Sequence, residues 1–166
     1  MKHFLMRFVL SLQNNINLTM SKVAAYYHIV FCTKRQEMTI PLQYKEDVYR
    51  FIWKVILDSK CTLIRIGGIQ NHVHILLNLH PTVALANLIQ SVKSLSSGWI
   101  AQDGRFKLFD GWASGYFATT VSSDVRQNVI DYIKSQETHH LRHPFDDEMK
   151  RLYMHANMDF DERDMR

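Results

Sequence analysis

His72 and His74, one residue apart, and a downstream run holding Tyr132, Gln136, His139 and His140 are the groups in this 166-residue chain whose types and spacing point to chemistry. Strand side chains alternate faces, so His72 and His74 project from one side about 7 Å apart and can converge on a single divalent ion. On a helix, Tyr132 and Gln136 differ by about 40° in direction and one turn in height, and His139 falls within about 20° of Tyr132. Together these groups suit attack by a tyrosyl oxygen on a DNA phosphate. The attack leaves a covalent phosphotyrosine that keeps the phosphodiester energy for rejoining, and a divalent ion polarises the phosphate and stabilises the departing sugar oxygen. Each group also has a plainer reading. Nine histidines make a chance His-x-His common, and the pair could be two solvated side chains on a half-exposed strand. A helix tyrosine is more often a packing residue. The chain has no P-loop, no dinucleotide glycine fingerprint and no convincing Ser-His-Asp arrangement, which argues against an ATP-driven or redox enzyme.

The elements that must position these groups follow from patterning. Tyr26 to Thr33 is aromatic and β-branched, a strand closed by Lys34-Arg35. Pro41 opens a helix whose apolar stripe is Val48, Phe51, Ile52, Val55 and Ile56. Cys61 to Ile69, containing Gly67-Gly68, and His72 to Leu79 read as two strands of a hairpin. On the second of these, Val73, Ile75, Leu77 and Leu79 face the helices, whereas His72, His74, Leu76, Asn78 and His80 face the other way. That face is left for the last helix, a ligand or both, and an outward-facing site would contribute little to stability.

A second amphipathic helix runs from Val83 to about Ala101, followed by a Gly-rich connection and a short strand from Tyr116 to Val121. Ser122 or Ser123 caps a third helix that continues to about His140, with Asp124 in its first turn and Val125, Val129 and Ile133 beside the polar stripe. A short helix around Phe145 to His155 and a charged tail follow. The expected fold is α+β: a ferredoxin-like split βαβ sheet (β-α-β-β-α-β) with an additional C-terminal nucleophile helix.

Composition bounds the answer without choosing it. An apolar fraction of 46% and a charged fraction of 22% are those of a globular domain and exclude disorder or collagen-like repeats. No apolar run approaches the ~18 residues of a membrane span. Two cysteines, Cys32 and Cys61, without a CxxC spacing suit a reducing cytoplasm. The net charge of +4 is uneven: residues 144–166 hold seven acids against four bases, so the body of the chain is the basic part. A basic body permits a polyanionic partner. Met1 to Leu12 imitates a secretory signal, but Arg7 interrupts it and no small-x-small cleavage site follows. Residues 1–20 are therefore read as an extension outside the fold, 21–143 as the catalytic domain, and 144–166 as a short helix and acidic tail.

His72-Val73-His74 followed by Ile-Leu-Leu-Asn-Leu resembles the His-hydrophobe-His (HUH) motif of the single-tyrosine transposases, the insertion sequence 200-like and REP-associated group. Tyr132-Ile-Lys-Ser-Gln136-Glu-Thr-His139-His140 is similar to that family's nucleophile helix. Tyr27 to Phe31 with Lys34-Arg35, Lys93 with Ser96-Ser97-Gly98-Trp99, Trp112 with Gly115-Tyr116 and Ala118, and Asp161-Glu162-Arg163 continue the likeness in the same order. The chain departs from the family at Phe117, where a second glycine is usual, in its last residues, and in the first twenty.

The resemblance implies that His72 and His74 bind Mg²⁺ or Mn²⁺, that Gln136 completes the site and that Tyr132 is the nucleophile. It implies single-stranded DNA as partner, recognised as imperfect hairpins near element ends, with a 5′-phosphotyrosine and a free 3′-hydroxyl as products. It further implies a homodimer in which the nucleophile helix of one subunit serves the histidines of the other, although REP-associated relatives act as monomers. No membrane and no nucleotide cofactor is involved. Lys34, Arg35, Lys93, Arg105 and Lys107 are candidates for DNA backbone contacts, each with a solvated surface charge as its plainer reading. Trp99 and Trp112 read as core. Two alternatives stay open. A replication-initiator or relaxase nickase shares the chemistry, but initiators tend to carry Lys at the position of Gln136 and relaxases are far longer. An inactive, domesticated nucleic-acid-binding module shares the fold, but it would stack bases on sheet aromatics where this chain has His72, His74 and Asn78.

Overall fold

A computed structural model describes residues 22–136, 138, 144–161 and 163. The expected N-terminal extension and the His139-His140 pair lie outside these. The elements are β1 (Tyr26–Cys32), α1 (Lys45–Asp58), β2 (Thr62–Gly68), β3 (His72–Asn78), α2 (Leu85–Gln102), β4 (Phe117–Val121), α3 (Arg126–Lys134) and α4 (Phe145–His155). The four strands form one sheet in the order β2-β3-β1-β4, antiparallel at every pairing. This is the strand order that the split βαβ reading requires. No helix among the described residues is long and apolar enough to cross a membrane.

One face of the sheet carries the main core. Ile29 and Phe31 of β1 and Val73, Ile75 and Leu77 of β3 pack against Val48, Ile52, Val55 and Ile56 of α1 and Leu88, Ile89, Val92 and Ile100 of α2. The period-two alternation of the strands meets the helical stripes here, and each such side chain fully removed from water stabilises the fold by about 1.5–3 kcal/mol. Trp99 stacks on Phe51 at 4.9 Å within this layer. Trp112 is buried and donates its indole N–H to Ser96 Oγ at 2.8 Å. Trp112 is a core residue, as read from the sequence, and Trp99 is a partly buried one packed against the core.

The opposite face is covered rather than open. Leu76, Val121 and Ile133 bring α3 onto it, while Val30, Cys32 and Phe117 receive Phe145, Met149 and Tyr153 of α4. Phe145, Met149 and Tyr153 recur every fourth residue, so α4 presents one continuous apolar stripe to the sheet. His72 and His74, expected to face outward, are therefore both 0% exposed. The expectation that they contribute little to stability fails for the same reason. A buried imidazole needs hydrogen-bond partners, and its deletion leaves both a void and orphaned neighbours.

The helix expected to reach about His140 is interrupted at Ser135, Gln136 and Thr138 are helical again, and its expected end lies outside the described residues. It begins at Arg126 with no side-chain cap; Ser122 instead hydrogen-bonds the Asp124 carboxylate. Its regular part ends at Lys134, where the Ser135 N–H is shared between the carbonyls of Asp131 and Tyr132 and the Ser135 hydroxyl bonds Tyr132 O at 2.9 Å. A serine that satisfies the backbone in this way competes with continuation of the helix.

Gly67 sets how deeply this helix sits. It lies across from His74 in the β2–β3 ladder, and a Cβ placed on it would be 2.6 Å from the Ile133 carbonyl oxygen. Only the missing side chain lets the end of α3 descend onto β2 beside His74. Gly67→Ala is therefore expected to destabilise the protein by about 1–3 kcal/mol, as overpacking does. Gly98→Ala, on α2 with nothing within 4 Å of its added methyl, is expected to stabilise by about 0.5–1 kcal/mol. Urea denaturation of the two variants measures the contrast.

Candidate active site

His72 opens β3 and is oriented from behind by its chain neighbour. Its Nδ1 lies 2.8 Å from Asn71 Oδ1, and Asn71 is itself held because its amide nitrogen donates to Gln36 O at 3.0 Å. An amide oxygen only accepts, so His72 donates from Nδ1 and its Nε2 is turned inward toward Gln136 Oε1, 3.4 Å away. Phe145 stacks on the outer face of the ring at 4.4 Å.

His74 is fixed by the adjacent strand. Its Nδ1 is 3.0 Å from Nε2 of His28 on β1, and the two rings stack at 5.3 Å. Its Nε2 points at Glu148 Oε1, 3.4 Å away. Glu148 comes from α4 and is 1% exposed. The same Oε1 receives the Gln136 amide at 3.0 Å and the hydroxyl proton of Tyr132. Tyr132 lies edge-on to His74, ring centroids 5.7 Å apart. Tyr132, Gln136, His72 and His74 of one chain thus lie together, the half-buried tyrosine over a buried cluster of the other three.

The donor set fits a divalent ion. One nitrogen each from His72 and His74 and a carboxylate oxygen of Glu148 all lie within 4.8 Å of one another. With its Nδ1–H donated to Asn71 Oδ1, His72 turns Nε2 toward the Gln136 oxygen, and a cation between them would accept a lone pair from each. Two imidazoles and a carboxylate with further oxygens nearby are ligands that Mn²⁺ and similar ions accept.

Burial favours the neutral forms of Tyr132 and His28. Burial raises the Tyr132 phenol well above its ordinary range, and the Glu148 charge and hydrogen bond add to the rise. Burial lowers His28 from 6.5 to about 4, against a smaller opposing pull from Glu148. A mostly apolar cavity of about 360 Å³ adjoins Tyr132 between α3 and α4.

Glu148 and His28 are the members of this cluster that the sequence did not yield. An acid at position 148 stands three residues after Phe145 and one before Met149, hence on the apolar side of its helix, and that misplaced charge was the available signal. His28 alternates with Ile29 and so shares a strand face with Val30's neighbours across β3, a placement that requires the register.

The five basic candidates lie outside the cluster. Lys34 and Arg35 both pair with Asp110, and Arg35 also with Glu37. Lys93 donates to the carbonyls of Ser114 and Gly115 at 2.8 and 3.1 Å, tying α2 to the segment before β4. Arg105 is held by Asp103 and Asp47 over the Tyr44 ring. Lys107 is exposed.

The burial of His28 fixes the sign of a pH effect. Between about pH 6.5 and pH 4 the unfolded chain carries a proton on this residue that the folded one does not, so stability falls as pH falls through that window. Urea unfolding from pH 7 to pH 4.5 should show this loss, and His28→Gln, which cannot titrate, should show a shallower dependence.

The model of the family described as "Transposase IS200 like" matches residues 21–136. The ISDra2 transposase TnpA of Deinococcus radiodurans is 24% identical over 115 residues, spanning 66% of this chain and 82% of that protein. The transposase for insertion sequence element IS200 of Salmonella typhimurium is 25% identical over 115 residues, spanning 66% and 75%. Among solved structures, a putative transposase from Deinococcus radiodurans shares the fold with a TM-score of 0.53 at 17% identity, over 70% of this chain and 94% of that one. The REP-associated tyrosine transposase bound to a REP hairpin shares it with a TM-score of 0.55 at 15% identity, over 73% and 74%. With more than half its length matched in one continuous stretch that contains His72, His74, Tyr132 and Gln136, the chain belongs to the IS200-like transposase family.

Proposed function

We propose that this transposase cleaves and rejoins single-stranded DNA through a covalent 5′-phosphotyrosine on Tyr132, with a divalent metal, Mg²⁺ or Mn²⁺, held by His72 and His74. The observation that carries this reading is the convergence of half-buried Tyr132 on the buried His72, His74, Gln136 and Glu148. Hairpin DNA is the favoured substrate, because a structure that shares this fold is that of a tyrosine transposase bound to a REP hairpin.

The steps follow from the residues present. The Tyr132 oxygen gives its proton to Glu148 as it attacks phosphorus, the bond from phosphorus to the sugar 3′-oxygen breaks, and that oxygen takes up a proton to depart as a 3′-hydroxyl while the 5′-phosphate stays on the tyrosine. Glu148 Oε1 holds the phenolic hydrogen before attack. Asn71 and His28 orient the two imidazoles, and Gln136 bridges His72 and Glu148. A bound divalent ion supplies charge stabilisation at the phosphate and the departing oxygen. Glu148 joins the histidines as an ion ligand in this reading, and Gln136 supplies a neutral oxygen beside them. Tyr132 lies over His74 of its own chain, which supports a site assembled in cis.

Labelled hairpin oligonucleotides with Mn²⁺ should give an adduct that survives denaturant. Tyr132→Phe keeps the ring and loses the nucleophile, so persistence of the adduct in that variant sinks the assignment. Mn²⁺ should also raise the unfolding temperature of the wild type, by an amount worth about 2.7 kcal/mol at a hundred times Kd. The His72→Ala/His74→Ala variant should lose that rise and, being altered at buried positions, should start from lower stability by roughly 1–3 kcal/mol without metal. Glu148→Gln should lose most of the rise and Gln136→Ala less. An unchanged Mn²⁺ response in the double histidine variant excludes the site.

A further inference from the structure

The cavity beside Tyr132 has a feature that the cleavage chemistry above does not use. Arg151 of α4 lines it and is the one Lys or Arg side chain that does so among the described residues. Its Nε donates to the Asp147 carbonyl at 3.1 Å, which fixes the plane of the guanidinium. Its Nη2 is shut off from solvent and has no hydrogen-bond partner among the described residues. Leaving a charged N–H buried and unanswered is costly, and such groups ordinarily find an acceptor.

The rest of the cavity defines what that acceptor is. Val125, Val129 and Leu152 make the wall mostly apolar, and Asn128 adds an amide. The volume, about 360 Å³, is that of a small-ligand site. Glu148 Oε1, on the inner wall, is already shared by Tyr132 and Gln136. A guest must therefore bring an anion to Arg151, apolar or aromatic surface to the valines and leucine, and an electrophilic centre to Tyr132. A nucleotide unit of single-stranded DNA has all three. A planar guanidinium lining the cavity, anchored through Nε, grips phosphate oxygens once a guest draws its unanswered Nη2 out of the wall.

We propose that Arg151 binds the DNA phosphate presented to Tyr132, so that α4 contributes the phosphate-gripping residue of the site. The inference rests on the reading of the protein as acting on single-stranded DNA, and it adds a residue beyond the stretch that the family model matches, which ends at 136.

The test is equilibrium binding of fluorescent oligothymidine to the full chain across a series of KCl concentrations, with Mg²⁺ and again with EDTA. Arg151→Gln should weaken binding at low salt by roughly tenfold. It should also make the slope of log Kd against log salt shallower by about 0.7, the share of one phosphate contact on a single strand. A merely structural role would not move that slope. Lys54→Gln, an exposed cation on α1 behind the sheet, should leave both quantities unchanged. Arg151→Lys keeps the charge and should keep the slope, which preserves the test if the glutamine variant does not fold. A folded Arg151→Gln protein with wild-type affinity and slope overturns the proposal, as does a lysine variant whose slope has fallen. Failure of the wild type to bind the strand at all refutes the single-strand reading itself, so the two failures are distinguishable.

Discussion

Three imidazoles and a carboxylate share a space closed to water, and each is tolerable there because of the others. His28 and His74 bond ring to ring, His74 faces Glu148, and Glu148 collects Gln136 and Tyr132. An isolated carboxylate in that position would cost several kcal/mol in desolvation, and hydrogen bonds from neighbouring donors offset it. The polar knot therefore dictates the geometry around it. The sheet must supply two histidine strands in register, α3 must end where Tyr132 and Gln136 reach inward, and α4 must lie across both.

The two helices on this face are seated differently. The apolar contact of α3 with the sheet is small, centred on Leu76, Val121 and Ile133, and it depends on a close approach that Gly67 permits. α4 packs Phe145, Met149 and Tyr153 against Val30, Cys32 and Phe117, and Glu148 is carried into the interior on the same side. Packing and chemistry are thus coupled in one element. The contacts that hold α4 on the sheet also hold the carboxylate against the histidines, and a change in either disturbs both.

The main core, by contrast, is indifferent to function. Ile29, Phe31, Val73, Ile75 and Leu77 alternate with the site residues along the same strands. β1 and β3 each serve the main core on one face and carry the histidines on the other, which the period of two allows without compromise. Family likeness and local chemistry agree on this division. The matched stretch holds the sheet, its two outer helices, the histidine pair and the tyrosine, while Glu148 and Arg151 come from the helix that follows.

What could be read in advance were features with a local period. The alternation on β3 puts His72 and His74 on one face, the helical turn puts Gln136 near Tyr132, and the apolar stripes locate α1 and α2 within a few residues. The βαββαβ order then leaves few ways to arrange the strands. The environment of the site was not readable. Whether the histidine face was open or covered depended on where α4 docked, and its short stripe gave its existence but not its direction. His28 reaches His74 only through the β1–β3 register, forty-six residues apart in the chain. Glu148 looked like one acid among seven in a charged tail. Spacing fixes which side chains share a face of one element, because backbone geometry repeats. Which faces meet is decided by long-range packing, and that is where burial, partners and protonation are set.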